Sequence, residues 1–189
     1  TVAGQFHQQG LQHSLALLKR SLSSEHWQAC GLLQLAKSAR EQLQMQAVME
    51  RAYPSSWLQL FSLDDAQAMA KQPLSAGGLF FSASGWVSPA HWCSALFEHS
   101  GARLWSGSQV VALTQHDGWQ LQVQGDHHGM HHFDAVVLAN ANDAKTLVPQ
   151  HQLALKSIRG QVSYVQAQQG PDVVVCGEGY VTPAQSGVL

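Results

Sequence analysis

The segment Phe133-Asp134-Ala135-Val136-Val137-Leu138-Ala139-Asn140-Ala141 holds five consecutive apolar residues, 135–139, between an acid and Asn140. An unbroken apolar run of this length reads as a strand buried on both faces, the kind found at the centre of a parallel sheet. The texture just upstream is different. Residues 103–105, 110–114, 119–123 and 133–138 are short β-rich runs, and Asp117-Gly118 and the 125–129 segment supply turns between them. That is the pattern of an antiparallel meander ending in one buried strand.

Further outward the chain is helical. Leu11, Leu15, Leu18 and Leu22 recur at helical spacing with Lys19 and Arg20 between them, which predicts an amphipathic helix over 6–22. An extended piece at 31–36 precedes a run of helix formers at 37–51, which Tyr53-Pro54 ends. Ser62 followed by Asp64 and Asp65 is a helix start, and Pro73 closes that helix. Residues 79–81 and 86–87 read as strand around a turn at Ser84-Gly85. Ser88-Pro89 then opens a helix that stops at Gly101, with Trp92, Ala95 and Leu96 on its core side. Strands are predicted again at 160–166, 173–176 and 180–183. Helices, a meander and a central strand together give a mixed α/β (α+β) fold. A lone central strand implies a piece of a larger sheet.

Composition narrows the function classes. The chain has 189 residues, one domain or one and a half at roughly 100–200 residues each. Charged residues are only 12% and the formal net charge is −2, so nothing general draws the chain to phosphate backbones or anionic lipid. The apolar runs are far shorter than the roughly 20 residues a membrane span needs. The cysteines, Cys30, Cys93 and Cys176, are odd in number and widely spaced, which fits reduced thiols and a cytoplasmic setting rather than a disulfide framework. The chain starts at Thr1 without a signal peptide's basic start and apolar core. It stops within an apolar stretch, and both ends read as cuts through a longer polypeptide.

Several clusters could carry chemistry. His127, His128, His131 and His132 are potential metal ligands, but no carboxylate or thiolate is paired with them in sequence. A solvated hairpin tip is the stronger reading, and no metal is expected. His91 stands near Cys93 and Ser94 on one predicted helix, at spacings that do not make a nucleophile and base, and no G-x-S-x-G elbow exists. Asp64 and Asp65 are better read as helix-start acids than as paired catalytic carboxylates. Neither G-x-G-x-x-G nor a P-loop occurs. Arg159-Gly160-Gln161 and Gly177-Glu178-Gly179-Tyr180 each set glycine beside a large polar side chain at a strand edge, where backbone can approach a ligand.

These last segments occur in the order seen in the D-amino-acid-oxidase-like family of FAD-dependent amine oxidases, which the chain resembles. Gly78-Leu79-Phe80-Phe81 followed by Ser84-Gly85-Trp86-Val87-Ser88-Pro89 is similar to that family's strand, G-G-W-x-x-P and helix. The stretch from Gly101-Ala102-Arg103-Leu104 to Val110 and Leu113 resembles the strand whose backbone faces the adenine of FAD. Residues 133–141 resemble the strand ending in V-V-L-A-x-G, although Ala141 stands where the family usually has glycine. Residues 157–163 resemble the R-G-Q segment, and Gly179-Tyr180-Val181-Thr182-Pro183 the G-Y-x-x-P strand of the substrate pocket. Trp27-Gln28-Ala29-Cys30-Gly31, Gln34-Leu35 and Cys176 narrow the likeness to the family's tRNA-modifying members.

The resemblance implies a division of the chain. Residues 1–100 match the first part of a substrate-binding domain, 101–145 part of an FAD-binding domain, and 146–189 the return strands of the substrate-binding domain. The dinucleotide fingerprint and the segment that closes over the flavin are missing, so the chain reads as a fragment, inactive alone. The resemblance also implies that Tyr180, Arg159, Gln161 and Trp86 face substrate, and that Val110, Ala139, Asn140 and Ala141 lie near FAD. It assigns no catalytic residue. The implied reaction oxidises the secondary amine of 5-carboxymethylaminomethyl-2-thiouridine at the tRNA wobble position, passing a hydride to FAD. Glyoxylate is lost and the 5-aminomethyl base remains. A separate methyltransferase domain would then use S-adenosylmethionine to methylate that amine. Flavin chemistry of this kind needs positioning rather than a strong acid or base, which suits a chain without a triad. Six tryptophans in a chain of this size fill cores more often than they stack on bases. Two other readings stand beside this one: an oxidase of glycine or another free amine, and a substrate-binding module without catalysis.

Overall fold

Hydrophobic residues at 33, 80 and 173 face the small side chains Ala66 and Ala70, and this contact is the centre of the molecule's core. In the computed structural model, which describes residues 2–166 and 169–184, the chain runs through α1 (Val2–Ser21), β1 (Trp27–Gln28), β2 (Leu32–Leu35), α2 (Ala39–Met49), β3 (Leu58–Phe61) and α3 (Leu63–Ala70). It continues through β4 (Gly78–Phe81), β5 (Trp86–Val87), α4 (Pro89–Ser100), β6 (Ser108–Gln115), β7 (Trp119–Gly125) and β8 (Gly129–Phe133). Last come α5 (Ala144–Leu147), β9 (Val174–Cys176) and β10 (Tyr180–Val181), with short 3-10 turns at Ala141–Asp143 and Pro149–His151. These elements form two compact units, Thr1–Gly101 with Ser163–Leu189, and Ala102–Val162.

The first unit is built on a five-stranded sheet in the order β10-β9-β2-β4-β3. Strands β2 and β9 are parallel, and the other neighbours are antiparallel. Alternation along each strand sorts the residues onto two faces. Leu33, Leu35, Phe61, Phe80, Val173 and Val175 share the face covered by α3, where Leu33, Ala66 and Ala70 have no exposed surface. The Phe61 and Phe80 rings stack at 5.0 Å. Helix α3 starts at a capping box, in which the Ser62 hydroxyl accepts from the Asp65 backbone N–H and the Asp65 carboxylate accepts from the Ser62 N–H. At Gly78 an added Cβ would run into the Gln34 carbonyl, so the close approach of β4 to β2 requires glycine there. A two-stranded ribbon pairs β1 with β5, Gln28 opposite Trp86. Helix α1 begins at Val2, earlier than the leucine pattern predicts, and runs through Gly4, a tolerated but weak helix former. It packs against α4 and buries Leu18.

The second unit is a three-stranded antiparallel meander, β6-β7-β8, in which β6 and β7 fall on predicted runs and β8 on the segment expected to be a hairpin tip. Val123 is buried at its centre, and a bulge interrupts β6 between Val110 and Ala112. The fold is therefore mixed α/β, as expected.

Four expectations are corrected by the structure. Residues 135–138 are not a strand: no strand of the described residues lies alongside them, and Val137 is 89% exposed. Hydrophobicity suits a segment to a sheet centre, but only a partner's hydrogen bonds make it a strand. The same holds for 160–165, which are irregular with Tyr164 85% exposed. Residues 103–105 are also irregular, and Trp105 instead lays its ring on His127 at 4.6 Å. The histidine run is only partly a hairpin tip, since His131 and His132 lie in β8 opposite Leu121 and Gln120. Strands β1 and β3 were not anticipated. In α4 the expected core face is half-buried at Trp92 and Ala95, while Leu96 is exposed.

Candidate functional site

Two regions hold the residues singled out from sequence, one in each unit. In the first, the chain reverses after β9 through Gly177-Glu178-Gly179, where the Gly177 N–H donates to the Gly179 carbonyl at 2.7 Å. The reversal sets Tyr180 directly opposite Cys176. Cys176 is in turn opposite Gln34, Gln34 opposite Leu79, and Leu79 opposite Leu60. Cross-strand partners project from the same face. Tyr180, Cys176 and Gln34 thus form a polar row on the face away from α3, continued by two leucines. Tyr180 lies on the edge strand and is 60% exposed, while Gln34 and Cys176 are half-buried. Burial lifts the Cys176 thiol above the ordinary range, and it does the same to Cys30, opposed there by hydrogen bonding to the backbone of Val174. Both sulfurs are therefore held as neutral thiols rather than nucleophilic thiolates. Gln34 and Cys176 were not singled out as site residues. Their place beside Tyr180 depends on the parallel pairing of β2 with β9, which brings together segments far apart in sequence.

Trp86 sits on the separate two-stranded ribbon, half-buried, with its indole N–H out of solvent and without a hydrogen-bond partner among the described residues. A buried donor left unpaired costs about 1–3 kcal/mol. Arg159 and Gln161 lie in the second unit, in the irregular exposed stretch, where Arg159 makes no ion pair among the described residues. Nearby, the Lys145 ammonium donates to the Leu155 carbonyl.

The second unit contains an open cleft of about 670 Å³, lined by Leu113, Trp119, Val136, Leu138, Ala139 and Ala141 among others. Asn140 lies between two of these lining residues, and its carbonyl accepts from the Asp143 N–H at 3.2 Å. Ala141 holds a left-handed backbone, φ 50°, at the entry to a 3-10 turn. Val110 is not part of the lining and pairs with Val123 at the bulge in β6. The cleft is largely apolar, with only methyl side chains at 139 and 141. It offers no cradle for a pyrophosphate, and the chain has no G-x-G-x-x-G to provide one.

The other clusters are internally satisfied. His127 Nδ1 meets the Ser108 hydroxyl at 2.9 Å, and His131 Nε2 meets the His127 carbonyl at 2.9 Å. Among the described residues no three His, Cys, Asp or Glu side chains converge as metal ligands. His91 pairs with the Ser88 hydroxyl at 2.7 Å and stacks on His26 at 3.7 Å. Among the described residues no helix is long and apolar enough to cross a membrane.

Against this geometry, comparison with known proteins is specific. The sequence pattern of the DAO family, FAD dependent oxidoreductase, matches residues 4–189. The tRNA 5-methylaminomethyl-2-thiouridine biosynthesis bifunctional protein MnmC of Pseudomonas savastanoi pv. phaseolicola is 37% identical over 99% of this chain, which covers 28% of that protein. The protein of the same name from Thiobacillus denitrificans is 37% identical over 86% of the chain and 27% of its own length. The chain thus spans less than a third of these relatives. Among solved structures, glycine oxidase from Geobacillus kaustophilus superposes with a TM-score of 0.70 at 21% identity, over 96% of this chain and 52% of that one. Glycine oxidase from Bacillus cereus gives 0.71 at 18%, over 94% and 51%. These two likenesses speak to the fold. The chain belongs to the DAO family of FAD-dependent oxidoreductases.

Proposed function

We propose that this chain is the substrate-facing part of an oxidoreductase that removes the carboxymethyl group from 5-carboxymethylaminomethyl-2-thiouridine at the tRNA wobble position. The observation that carries the reading is the match, 37% identity over 99% of the chain, to a protein named for tRNA 5-methylaminomethyl-2-thiouridine biosynthesis. In the overall reaction the N–CH2 bond to the carboxymethyl group is oxidised and then hydrolysed, releasing glyoxylate and the 5-aminomethyl base. A separate methyltransferase domain using S-adenosylmethionine fits the relatives' description as bifunctional. The reading places the protein in the cytoplasm with tRNA as its substrate.

The sheet of the first unit serves as the substrate-binding domain, and the meander unit contributes part of the FAD domain. Ala139, Asn140 and Ala141, together with the backbone of Val110, would hold the cofactor's edge. When bound, the flavin supplies the two-electron acceptor. The protein's own task is orientation. A substrate carboxylate needs a phenol or a cation to fix it, and Tyr180 offers an exposed phenol at the end of the polar row. Within the first unit Trp86 offers an apolar wall, and in the second unit Arg159 and Gln161 offer an exposed cation and an amide to substrate. With the carboxylate held, the adjacent amine carbon is held too, and positioning of this kind lowers the barrier without a strong base.

Tyr180→Phe in the full-length protein tests this. A hydrogen bond to a charged group is worth about 1.5–3 kcal/mol, so kcat/KM for the modified tRNA should fall by about 10- to 100-fold while flavin content stays unchanged. Unaltered kcat/KM would remove Tyr180 from the site.

A further inference from the structure

The sheet face that carries Tyr180 also carries a second feature, an aromatic pocket of about 420 Å³ at the β3–β4 end. Its floor is Leu58, Leu79 and Phe81, and its walls include Tyr53, Trp57 and His7. The registers place Leu79 in line with Gln34, Cys176 and Tyr180, three strand spacings or roughly 14 Å from the tyrosine. We infer that this pocket seats an unstacked nucleobase of the RNA substrate, one that flanks the reacting base in the same loop. The inference rests on the RNA reading above and adds to it a binding site for a part of the substrate that does not react.

The chemistry of the walls supports a base as occupant. Single-stranded RNA is recognised by splaying bases onto aromatic side chains and hydrogen-bonding their edges. Tyr53 and Trp57 lie 6.0 Å apart between ring centroids, tilted by 50°. They are fixed by the turn at Pro54, whose carbonyl accepts from the N–H groups of Trp57 at 2.8 Å and Leu58 at 3.1 Å. Both aromatic side chains are half-buried, leaving ring surface open to the pocket. The volume falls within the roughly 300–1,000 Å³ of small-molecule sites. The phenol of Tyr53, the imidazole of His7 and the Ser84 hydroxyl give a mostly apolar cavity a few polar groups for a heterocycle's edge. Arg51, exposed and set in sequence between the lining residues Val48 and Tyr53, supplies a cation for the attached phosphate, next to the acid Glu50.

The test uses the full-length flavoprotein and a fluorescent anticodon stem-loop RNA, with affinity read by anisotropy and folding by flavin absorbance and melting temperature. Trp57→Leu, which keeps apolar bulk but removes the ring, should weaken RNA binding by about tenfold. Trp57→Phe should retain affinity, and Tyr53→Leu provides the same comparison at the second ring if Trp57→Leu does not fold. Parent-like affinity in both leucine variants, or equal loss in Trp57→Leu and Trp57→Phe, overturns the nucleobase pocket and leaves the RNA reading standing. A parent protein that binds the stem-loop no better than a scrambled hairpin overturns the RNA reading and the pocket with it.

Discussion

Ala141 holds φ at 50°, a conformation that costs a residue with a Cβ roughly 1–2 kcal/mol relative to the right-handed region and costs glycine little. The family resemblance implies glycine at this position, and the backbone holds the geometry that glycine serves. Replacing Ala141 by Gly should therefore stabilise the protein by about 0.5–1 kcal/mol, read as a higher midpoint in urea unfolding of the full-length protein. A lower midpoint would show that the methyl group's packing in the cleft outweighs the backbone preference. Other residue-scale features were legible beforehand. Ser62 and Asp65 announce a helix start by type and spacing alone, and the structure has their reciprocal hydrogen bonds. Tyr180 and Ala141 were placed at the site by motif position, whereas Gln34 only marked the likeness, because nothing local to Gln34 says what lies across the sheet from it.

At the scale of elements, the difference between segments that became strands and those that did not is one of partners. Residues 79–81 and 173–176 are apolar and lie next to other strands, whereas 135–138 are as apolar but have none beside them among the described residues. Composition records the tendency, but the hydrogen-bonding neighbour is supplied by topology. That dependence makes the β2–β4 contact a sensitive point. Gly78→Ala would drive a methyl group into the Gln34 carbonyl, shifting the strand that carries Gln34 in the polar row. The expected result is a loss of about 3 kcal/mol or more, of the order seen for severe steric conflicts, with weaker substrate binding. Thermal unfolding and KM measure the two effects, and a neutral substitution at Gly78 would show that β4 can move away from β2 without consequence.

For the whole molecule, the mixed α/β class and the first two strands of the meander were readable from the order of elements, since hydrophobic periodicity identifies their type. The arrangement that matters most was not readable. The parallel pairing of Leu32–Leu35 with Val174–Cys176 joins the two ends of the first unit and creates the face on which Tyr180, Gln34 and the aromatic pocket all lie. Family membership supplies the flavin, and the likeness to proteins named for tRNA 5-methylaminomethyl-2-thiouridine biosynthesis makes RNA the proposed substrate. The most direct measurement is anaerobic mixing of the full-length flavoprotein with tRNA bearing the carboxymethylaminomethyl group, following the flavin's visible absorbance, with glycine added in parallel. The account predicts bleaching by the modified tRNA and none by glycine. Bleaching by glycine alone would contradict it and assign the protein to the oxidation of free amino acids.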